Sequence, residues 1–216
     1  MSLFQIESPG QVHLLSRTRP RVFRDLVVQV ALFRPGPLQG GMVNPYVERR
    51  CGRQEVQVPH PSLEPILRDT LGIILFQEQV LEICHRFAGM SLEQADEFRR
   101  LMSRWRDPGS MGEMRGAFVA GAVAAHGVLP GLAEEVFRQV EAFVGYGFCR
   151  SHAAAFARTV YHSAWLKTHY PAAYMAAVLQ HHPGFYPLST VLEEVRHLGL
   201  RVLPVDAWQS GWRYGL

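Results

Sequence analysis

Apolar residues recur every three or four positions through most of this chain, which is the spacing that places side chains on one face of an α-helix. Residues 200–203, which precede Pro204, have instead the apolar composition of a short strand. The sequence therefore predicts a mainly α fold that ends in a short α/β-type tail. We expect helices over about residues 22–32, 62–69, 77–88, 92–105, 111–126, 131–143, 152–169, 172–181 and 188–198.

Prolines and glycines separate these helices. Pro9-Gly10 is predicted to break residues 1–20 into short, mixed segments, and residues 107–110 are predicted to form a turn. Residues 38–61 are predicted to be irregular, with Glu48-Arg49-Arg50 at the exposed end of a short helix. A loop this long within a compact domain usually has a function or covers a site.

The chain has 216 residues, which is enough for one or two domains with an ample core. His181-His182-Pro183-Gly184 interrupts the helical pattern and marks a boundary. We predict that residues 1–182 form a helical domain and that residues 183–216 begin a different one.

The stretch 143–156 has the most distinctive composition in the chain. Gly145 and Gly147 can adopt the positive φ angles of a tight turn. Ser151 has the side chain of a helix N-cap, and three alanines follow it as strong helix formers. The pattern predicts a glycine loop that leads into a long helix capped by Ser151.

The start of that helix is a candidate site for a phosphate. A helix N-terminus offers unpaired backbone N–H groups and a partial positive charge. Arg150 and His152 flank this end and add cationic or hydrogen-bonding side chains. A loop, a helix N-terminus and a cation are the usual components of an anion site. The alternative is an ordinary helix–helix connection with a serine cap.

A second candidate surface follows the capping box formed by Ser91-Leu-Glu-Gln94. Arg99, Arg100 and Arg104 are close together on the helix behind it, and like charges four residues apart repel. A bound anion would relieve that repulsion, whereas the alternative is a solvated basic face partly neutralised by neighbouring acids. The side chains that this helix is expected to bury are Ala95, Phe98, Leu101, Met102 and Trp105.

Composition narrows the class of protein without identifying a function. Hydrophobic residues make up 48% and charged residues 19%, as in a globular protein, and the formal net charge is only +3. Lys167 is the only lysine, so nearly all positive charge is on arginine, which suits bidentate contact with phosphate. We attribute most of this bias to a GC-rich genome.

Targeting and cysteine signals favour a cytoplasmic protein. Cys51, Cys84 and Cys149 are widely spaced and form no CxxC pair, so neither a disulfide scaffold nor a cysteine-rich zinc site is expected. No apolar run is long enough to cross a bilayer, and the N-terminal residues lack the basic start and apolar core of a secretion signal.

Several kinds of catalytic site lack their sequence signals here. No close pair of carboxylates for magnesium lies on an alternating apolar strand, and the sequence has no P-loop and no Rossmann glycine pattern. Ser151-His152 lacks a nucleophile elbow, so a serine hydrolase is not expected. His85 beside Cys84 and the pair His181-His182 fit surface or packed positions better than metal ligands.

Seven motifs lie in order over about residues 3–180: Phe4-Gln-Ile-Glu-Ser8, Ala31-Leu-Phe-Arg-Pro-Gly-Pro37, Pro59-His-Pro61, Gly72-Ile-Ile-Leu-Phe-Gln-Glu-Gln79, Ala95-Asp-Glu-Phe-Arg-Arg100, Gly145-Tyr-Gly-Phe-Cys-Arg-Ser-His152 and Trp165-Leu-Lys-Thr-His-Tyr-Pro171. Together they resemble the fingers region of the bacterial C-family DNA polymerases, which include the alpha subunit of DNA polymerase III and its error-prone relatives. The tail motifs Gly184-Phe-Tyr and Val202-Leu-Pro-Val-Asp206 are similar to the error-prone branch.

The resemblance implies a mobile, multi-helical fingers domain, in which residues 1–20 are the residual link from a missing palm domain. In the family the palm carries three aspartates that bind two metal ions for phosphoryl transfer, and the resemblance implies that the matching residues would precede the start of this chain. The resemblance thus implies that Mg²⁺ is held by the palm together with the nucleotide. We expect no catalytic residue and no metal ligand in this chain, and no activity from the chain alone.

The resemblance also assigns nucleotide-binding residues. Arg99 and Arg100 match the family's paired arginines near the triphosphate of the incoming deoxynucleoside triphosphate, and residues 150–152 match the loop that faces the same site. Replicative members usually carry Asn-Lys where this chain has Cys149-Arg150, so the charge is kept and an amide donor is lost. Further contacts with DNA or phosphate are expected at Arg34, Arg104, Gly145 and Gly147.

Three hypotheses follow for the function. In the first, the chain is the fingers portion of a DNA-directed DNA polymerase that binds nucleotide and primer-template beside a palm domain or separate subunit, in error-prone or translesion repair synthesis. In the second, it is a split or degenerate fragment whose arginine surface binds nucleic acid or a partner subunit. In the third, it is a free-standing enzyme, which the missing carboxylates argue against.

Overall fold

A computed structural model of the chain describes residues 2–34, 37–38, 41–104, 108–143, 148–184 and 186–216. The regular elements in these ranges are helical, apart from one isolated β-bridge, which agrees with the predicted mainly α fold. The α-helices are α1 Pro9–Thr18, α2 Phe23–Leu32, α3 Val43–Arg50, α4 Glu64–Leu67, α5 Gln77–Arg86, α6 Leu92–Arg104, α7 Pro108–His126, α8 Pro130–Ala142, α9 Arg150–His169, α10 Pro171–His181 and α11 Leu188–His197.

The prediction that Pro9-Gly10 breaks the first segment is wrong, because Pro9 is the first residue of α1. A proline is tolerated there since its missing N–H is one that a helix start leaves unpaired. The hydroxyl of Ser8 caps the helix by accepting a hydrogen bond from the backbone N–H of Gln11 at 3.4 Å. The same physics corrects the predicted turn at residues 107–110, since Pro108 begins α7.

The strand predicted at residues 200–203 is also wrong. Within the described residues this segment has no strand partner, and Leu203 and Val205 are exposed to solvent. An apolar run becomes a strand only when another strand satisfies its backbone groups, and none is placed beside it here. The short helix expected to end at Glu48-Arg49-Arg50 is confirmed as α3, although these three residues are partly buried rather than exposed.

Two large apolar cores share the segment between α4 and α5. Ile74 packs into a core formed mainly by α5 to α8, whose central side chains include Phe118 and Phe137. The next two residues, Leu75 and Phe76, pack into the other core, which α1, α2, α3 and α9 build. This short stretch therefore contributes side chains to both cores and joins them.

Phe76 is also the residue that ties α5 to the start of α9. It forms the isolated parallel bridge with Phe148, and the backbone N–H of Gln77 donates to the carbonyl of Phe148 at 3.0 Å. Both phenylalanine side chains are buried. The first turns of α5 and α9 are therefore held side by side.

The C-terminal region packs on the helices before it. Met175 and Val178 of α10 contact Val191 and Val195 of α11 in a small third core. The hydroxyl of Tyr186 donates to the carbonyl of Glu7 at 2.8 Å. The domain boundary near residue 183 stays a prediction. No helix in the described part of the chain is both long and apolar enough to span a bilayer.

We expect His60 to make the protein less stable in mild acid. Its ring lies 4.9 Å from the His126 ring and 5.6 Å from that of Phe87. Burial, and then the charge of His126, lower the pKa of His60 below its ordinary value. Below a pH of about 6.5 the unfolded chain therefore takes up the proton more readily than the folded chain, so stability falls as the pH falls.

The matched variant is H60N, because asparagine can still accept the hydrogen bond that the His60 ring accepts from the backbone N–H of Ser62 at 3.3 Å. Urea unfolding at pH values of about 7.5 and 5.5 measures the effect. The unaltered chain should lose more stability between these pH values than H60N does. Equal losses in the two proteins would show that His60 does not contribute.

Candidate functional site

The first turn of α5 is the point where the two predicted arginine segments meet. One Nη1 donor of Arg99, from α6, lies 3.3 Å from Oε1 of Gln77. The backbone N–H of Arg150, at the start of α9, donates to both carboxylate oxygens of Glu78 at 2.9 and 3.0 Å. Gln77 and Glu78 are consecutive residues, so segments about fifty residues apart in sequence contact one helical turn.

The arginines of α6 share one carboxylate. Arg99 donates from Nε at 3.0 Å and from Nη2 at 2.7 Å to Oδ1 of Asp96, and Nη2 of Arg100 lies 2.7 Å from the other oxygen, Oδ2. The hydrogen bonds from Arg99, with the charge of Arg100, lower the pKa of Asp96. Both guanidiniums are therefore oriented by the same carboxylate.

Arg150 belongs to a second group of the same kind. Its Nη2 lies 2.6 Å from Oδ2 of Asp69, and Nη1 of Arg24 lies 2.7 Å from Oδ1 of the same carboxylate. The guanidinium of Arg150 also lies over the ring of Phe76, 5.3 Å from its centroid, in a cation–π contact. Two arginines again share one carboxylate, which fixes the guanidinium of Arg150 near α5.

The predicted N-cap of α9 is wrong by two residues. The helix begins at Arg150, and Cys149 occupies the cap position without a side-chain cap bond. The thiol of Cys149 lies instead 3.3 Å from Oε1 of Glu78 and 2.8 Å from the hydroxyl of Ser151. Ser151 is thus inside the first turn, and its hydroxyl contacts the Cys149 thiol instead of capping a backbone N–H.

Glu78 occupies the anion position that the sequence predicted for this helix start. Its carboxylate accepts the first backbone N–H of α9, so the helix terminus already has a negatively charged partner from 72 residues away. This contact agrees with the expected attraction of a helix N-terminus for anions. A phosphate at the same place would have to displace Glu78 or bind beside it through the arginine side chains.

His152 and Arg34 both contact the ring of Phe148. The guanidinium of Arg34 lies 3.6 Å from the centroid of the Phe148 ring, and the His152 ring contacts that ring edge-on at 5.3 Å. His152 also lies 4.4 Å from the ring of Phe156. Burial lowers the pKa of Arg34. The structure therefore places both residues next to the start of α9, in aromatic contacts.

The remaining predicted residues lie outside what the structure describes. These are Gly145, Gly147 and the side chain of Arg104. Among the described residues, no group of three or more histidine, cysteine, aspartate or glutamate side chains is placed to hold a metal ion.

Sequence reasoning missed the acceptors that organise the site, Asp69, Gln77 and Glu78. Gln77 and Glu78 belong to the motif that precedes α5, but their role depends on contacts with residues far along the chain. Asp69 is in a short 3₁₀ turn and carries no periodic signal. The only general guide was that a carboxylate is stabilised next to a helix N-terminus, and this rule does not say which carboxylate will be there.

Comparisons with known proteins match this region to one family. The family model that matches residues 1–126 is described as the finger domain of the bacterial DNA polymerase III alpha subunit. The chain is similar to an error-prone DNA polymerase of Bordetella bronchiseptica, with 46% identity over 217 residues covering 100% of this chain and 20% of that protein. An error-prone DNA polymerase of Symbiobacterium thermophilum is 45% identical over 211 residues, covering 97% of this chain and 19% of that protein. The chain thus spans about one fifth of the length of these relatives.

Proposed function

The chain belongs to the finger-domain family of the bacterial DNA polymerase III alpha subunit, and from that membership we propose that it binds the triphosphate of an incoming deoxynucleoside triphosphate. Arg99, Arg100 and Arg150 are the proposed phosphate-binding residues, with Ser151 and His152 beside them. The observation that supports this proposal is the meeting of Arg99 and Arg150 at the first turn of α5. A triphosphate carries several negative charges, and each arginine group would bind part of them.

The carboxylates of Asp96 and Asp69 hold the guanidiniums in place when no nucleotide is bound. A triphosphate would take over part of these contacts with charge-assisted bonds, which are roughly twice as strong as neutral hydrogen bonds. Glu78 faces the helix start and repels a phosphate there. We therefore assign most of the binding to the arginine side chains and less to the backbone of α9.

In the complete polymerase this part of the chain would position nucleotide and template for DNA synthesis performed elsewhere. We assign no metal-dependent step to the described residues. A palm domain or a separate subunit would supply the metal-binding carboxylates. We propose that the protein acts in the cytoplasm. The similarity to error-prone polymerases supports a role in error-prone or translesion repair synthesis.

Titration of the chain with a deoxynucleoside triphosphate and Mg²⁺ tests the proposal. Binding should be salt-sensitive and should weaken by about tenfold for each arginine removed, because a hydrogen bond to a charged group contributes about 1.5–3 kcal/mol. The triple variant R99A/R100A/R150A should therefore bind too weakly to measure. Calorimetry or fluorescence competition measures the affinity, and circular dichroism checks the fold.

Two controls separate a local effect from a loss of net charge. The triple variant R86A/R115A/R196A removes the same charge from exposed arginines outside the proposed site, and it should bind normally. E78Q removes the negative charge at the start of α9 but keeps an acceptor, so it should bind the triphosphate more tightly. Unchanged binding by R99A/R100A/R150A contradicts the nucleotide site.

The ion pairs favour a second candidate function. Asp96 and Asp69 already engage the arginines, as they would if the nucleotide site were vestigial and the surface bound nucleic acid or another subunit. DNA binding without triphosphate binding would support this module. Nucleotide incorporation by the purified chain would instead establish a free-standing enzyme, and we expect none.

A further inference from the structure

A cleft of about 550 Å³ is lined by arginines, none of which belongs to the proposed nucleotide site. Its walls are the end of α1, the turn that follows and the end of α3. The five arginines around this cleft are Arg17, Arg19, Arg21, Arg50 and Arg53.

Two carboxylates partly neutralise the cleft. Asp25 pairs with Arg50, and Glu48 pairs with Arg53 at 2.6 Å and lies 3.8 Å from Arg17. Five guanidiniums against two carboxylates leave an excess of three positive charges at neutral pH. Such an excess within one concave surface attracts anions.

Arg19 and Arg21 carry most of this excess. Both are exposed, and within the described part of the chain neither side chain contacts a carboxylate. Arg19 makes one weak contact, from Nε to the carbonyl of Ser16 at 3.4 Å. Asp25 contacts Arg21 only by accepting a hydrogen bond from the backbone N–H of Arg21 to its Oδ2, at 2.8 Å. These two guanidiniums are therefore available to a ligand.

The walls of the cleft are held together by protein contacts. Nε of Arg50 donates to the carbonyl of Thr18 at 3.2 Å, which ties the end of α3 to the end of α1. The thiol of Cys51 donates to the carbonyl of Arg17 at 3.4 Å. The cleft thus keeps its shape without a ligand, which lowers the entropy lost on binding.

The chemistry of the lining selects phosphate over a base. Guanidinium groups match phosphate in bidentate geometry. The lining contains no aromatic side chain on which a base could stack. Five guanidiniums spread along one cleft suit a chain of phosphates better than one small anion.

We propose that this cleft binds the phosphodiester backbone of a DNA strand without regard to base sequence. The proposal deepens the template-binding part of the proposed function and is independent of its nucleotide-binding part. Arg19 and Arg21 contact two phosphates, while Arg50 holds the walls.

Fluorescence anisotropy with a labelled oligonucleotide of twenty thymidines tests the cleft. The unaltered chain should bind it, and R19Q/R21Q should bind at least about tenfold more weakly because two charge-assisted phosphate contacts are lost. Between 50 and 200 mM salt, the slope of log K against log salt should become shallower by about 1.4, since each phosphate contact with single-stranded DNA contributes about 0.7.

The matched control is R86Q/R115Q, which removes the same charge from exposed arginines outside the cleft. It should keep nearly the affinity and salt slope of the unaltered chain. The cleft proposal is overturned if the unaltered chain does not bind, if R19Q/R21Q binds normally, or if both double variants weaken equally. A preference of more than about tenfold for one base sequence also overturns it, because phosphate contacts carry no sequence information.

Triphosphate titrations on the same proteins separate the two sites. R19Q/R21Q should bind the deoxynucleoside triphosphate as the unaltered chain does, and R99A/R100A/R150A should still bind the oligonucleotide. If triphosphate binding is absent and oligonucleotide binding depends on Arg19 and Arg21, the nucleotide site fails and the cleft stands. If triphosphate binding depends on Arg99, Arg100 and Arg150 but oligonucleotide binding does not depend on Arg19 and Arg21, the cleft fails and the nucleotide site stands.

Discussion

Replacing Gln79 with leucine should lower the free energy of unfolding by about 3 kcal/mol or more, because the buried amide satisfies four partners at once. Its Oε1 accepts from the backbone N–H groups of Leu75 and Phe76 at 2.8 and 3.0 Å. Its Nε2 donates to the carbonyl of Ile66 at 3.1 Å and to the hydroxyl of Thr70 at 2.8 Å. Leucine has a similar volume but would leave these polar groups buried and unpaired.

The loss should extend to ligand binding, because Gln79 fixes the first turn of α5. Gln77 and Glu78 precede it on that turn and contact Arg99 and Arg150. When the N–H groups before the helix lose their acceptor, this turn becomes less well ordered. Triphosphate binding by Q79L should therefore weaken even at temperatures where the variant remains folded.

Urea unfolding followed by circular dichroism measures the stability of Q79L. The control is Q94L, the same substitution at an exposed glutamine whose Oε1 accepts one backbone N–H, that of Ser91, at 2.9 Å. Water can replace that bond, so Q94L should cost about 1 kcal/mol, as for other helix caps. A loss in Q79L no larger than that in Q94L would contradict the importance of the buried amide.

Adding one methyl group at Gly121 should destabilise the protein by about 3 kcal/mol. A Cβ atom at this position would lie 2.0 Å from the carbonyl oxygen of Ala88 and 3.1 Å from its carbonyl carbon. These atoms belong to the backbone just after α5, so a side-chain rotation cannot relieve the overlap. The two segments must separate, and overpacking of a well-packed core typically costs 1–3 kcal/mol, occasionally more.

G116A is the matched control on the same helix, α7. A Cβ atom at Gly116 would meet no heavy atom within 4 Å in the described structure. Alanine is favoured over glycine inside a helix by about 0.5–1 kcal/mol, so G116A should stabilise the protein while G121A destabilises it. Thermal unfolding of the two variants gives the sign of each effect. A stabilising G121A would mean that α7 does not pack against Ala88 as closely as described.

Local patterns predicted much of the helical fold because they act over a few residues. The capping box at Ser91 and Gln94 is formed, with the Gln94 side chain accepting from the N–H of Ser91 and the Ser91 hydroxyl accepting from the N–H of Gln94. The helix expected over 22–32 is α2. Pro9 and Pro108 were misjudged because a proline can either stop a helix or begin one, and the residues before it decide which.

The site was less predictable because its geometry depends on long-range contacts. The sequence indicated that Arg99 and Arg150 are chemically suited to phosphate, but the turn where they meet comes from packing between α5, α6 and α9. Ser151 was expected to cap α9 from its side-chain chemistry alone. Glu78, brought there by the bridge between Phe76 and Phe148, binds the first N–H of the helix instead.

The carboxylates of Asp96 and Asp69 compete with weakly binding anions for the arginines of the candidate site. Asp96 and Asp69 are attached to the same chain as their arginines, so their local concentration greatly exceeds that of any dissolved ion. Chloride or acetate brings a single charge and gains little by competing with a tethered carboxylate. An anion must bring several charges at once to displace these carboxylates, so the surface resists occupation by small monovalent anions.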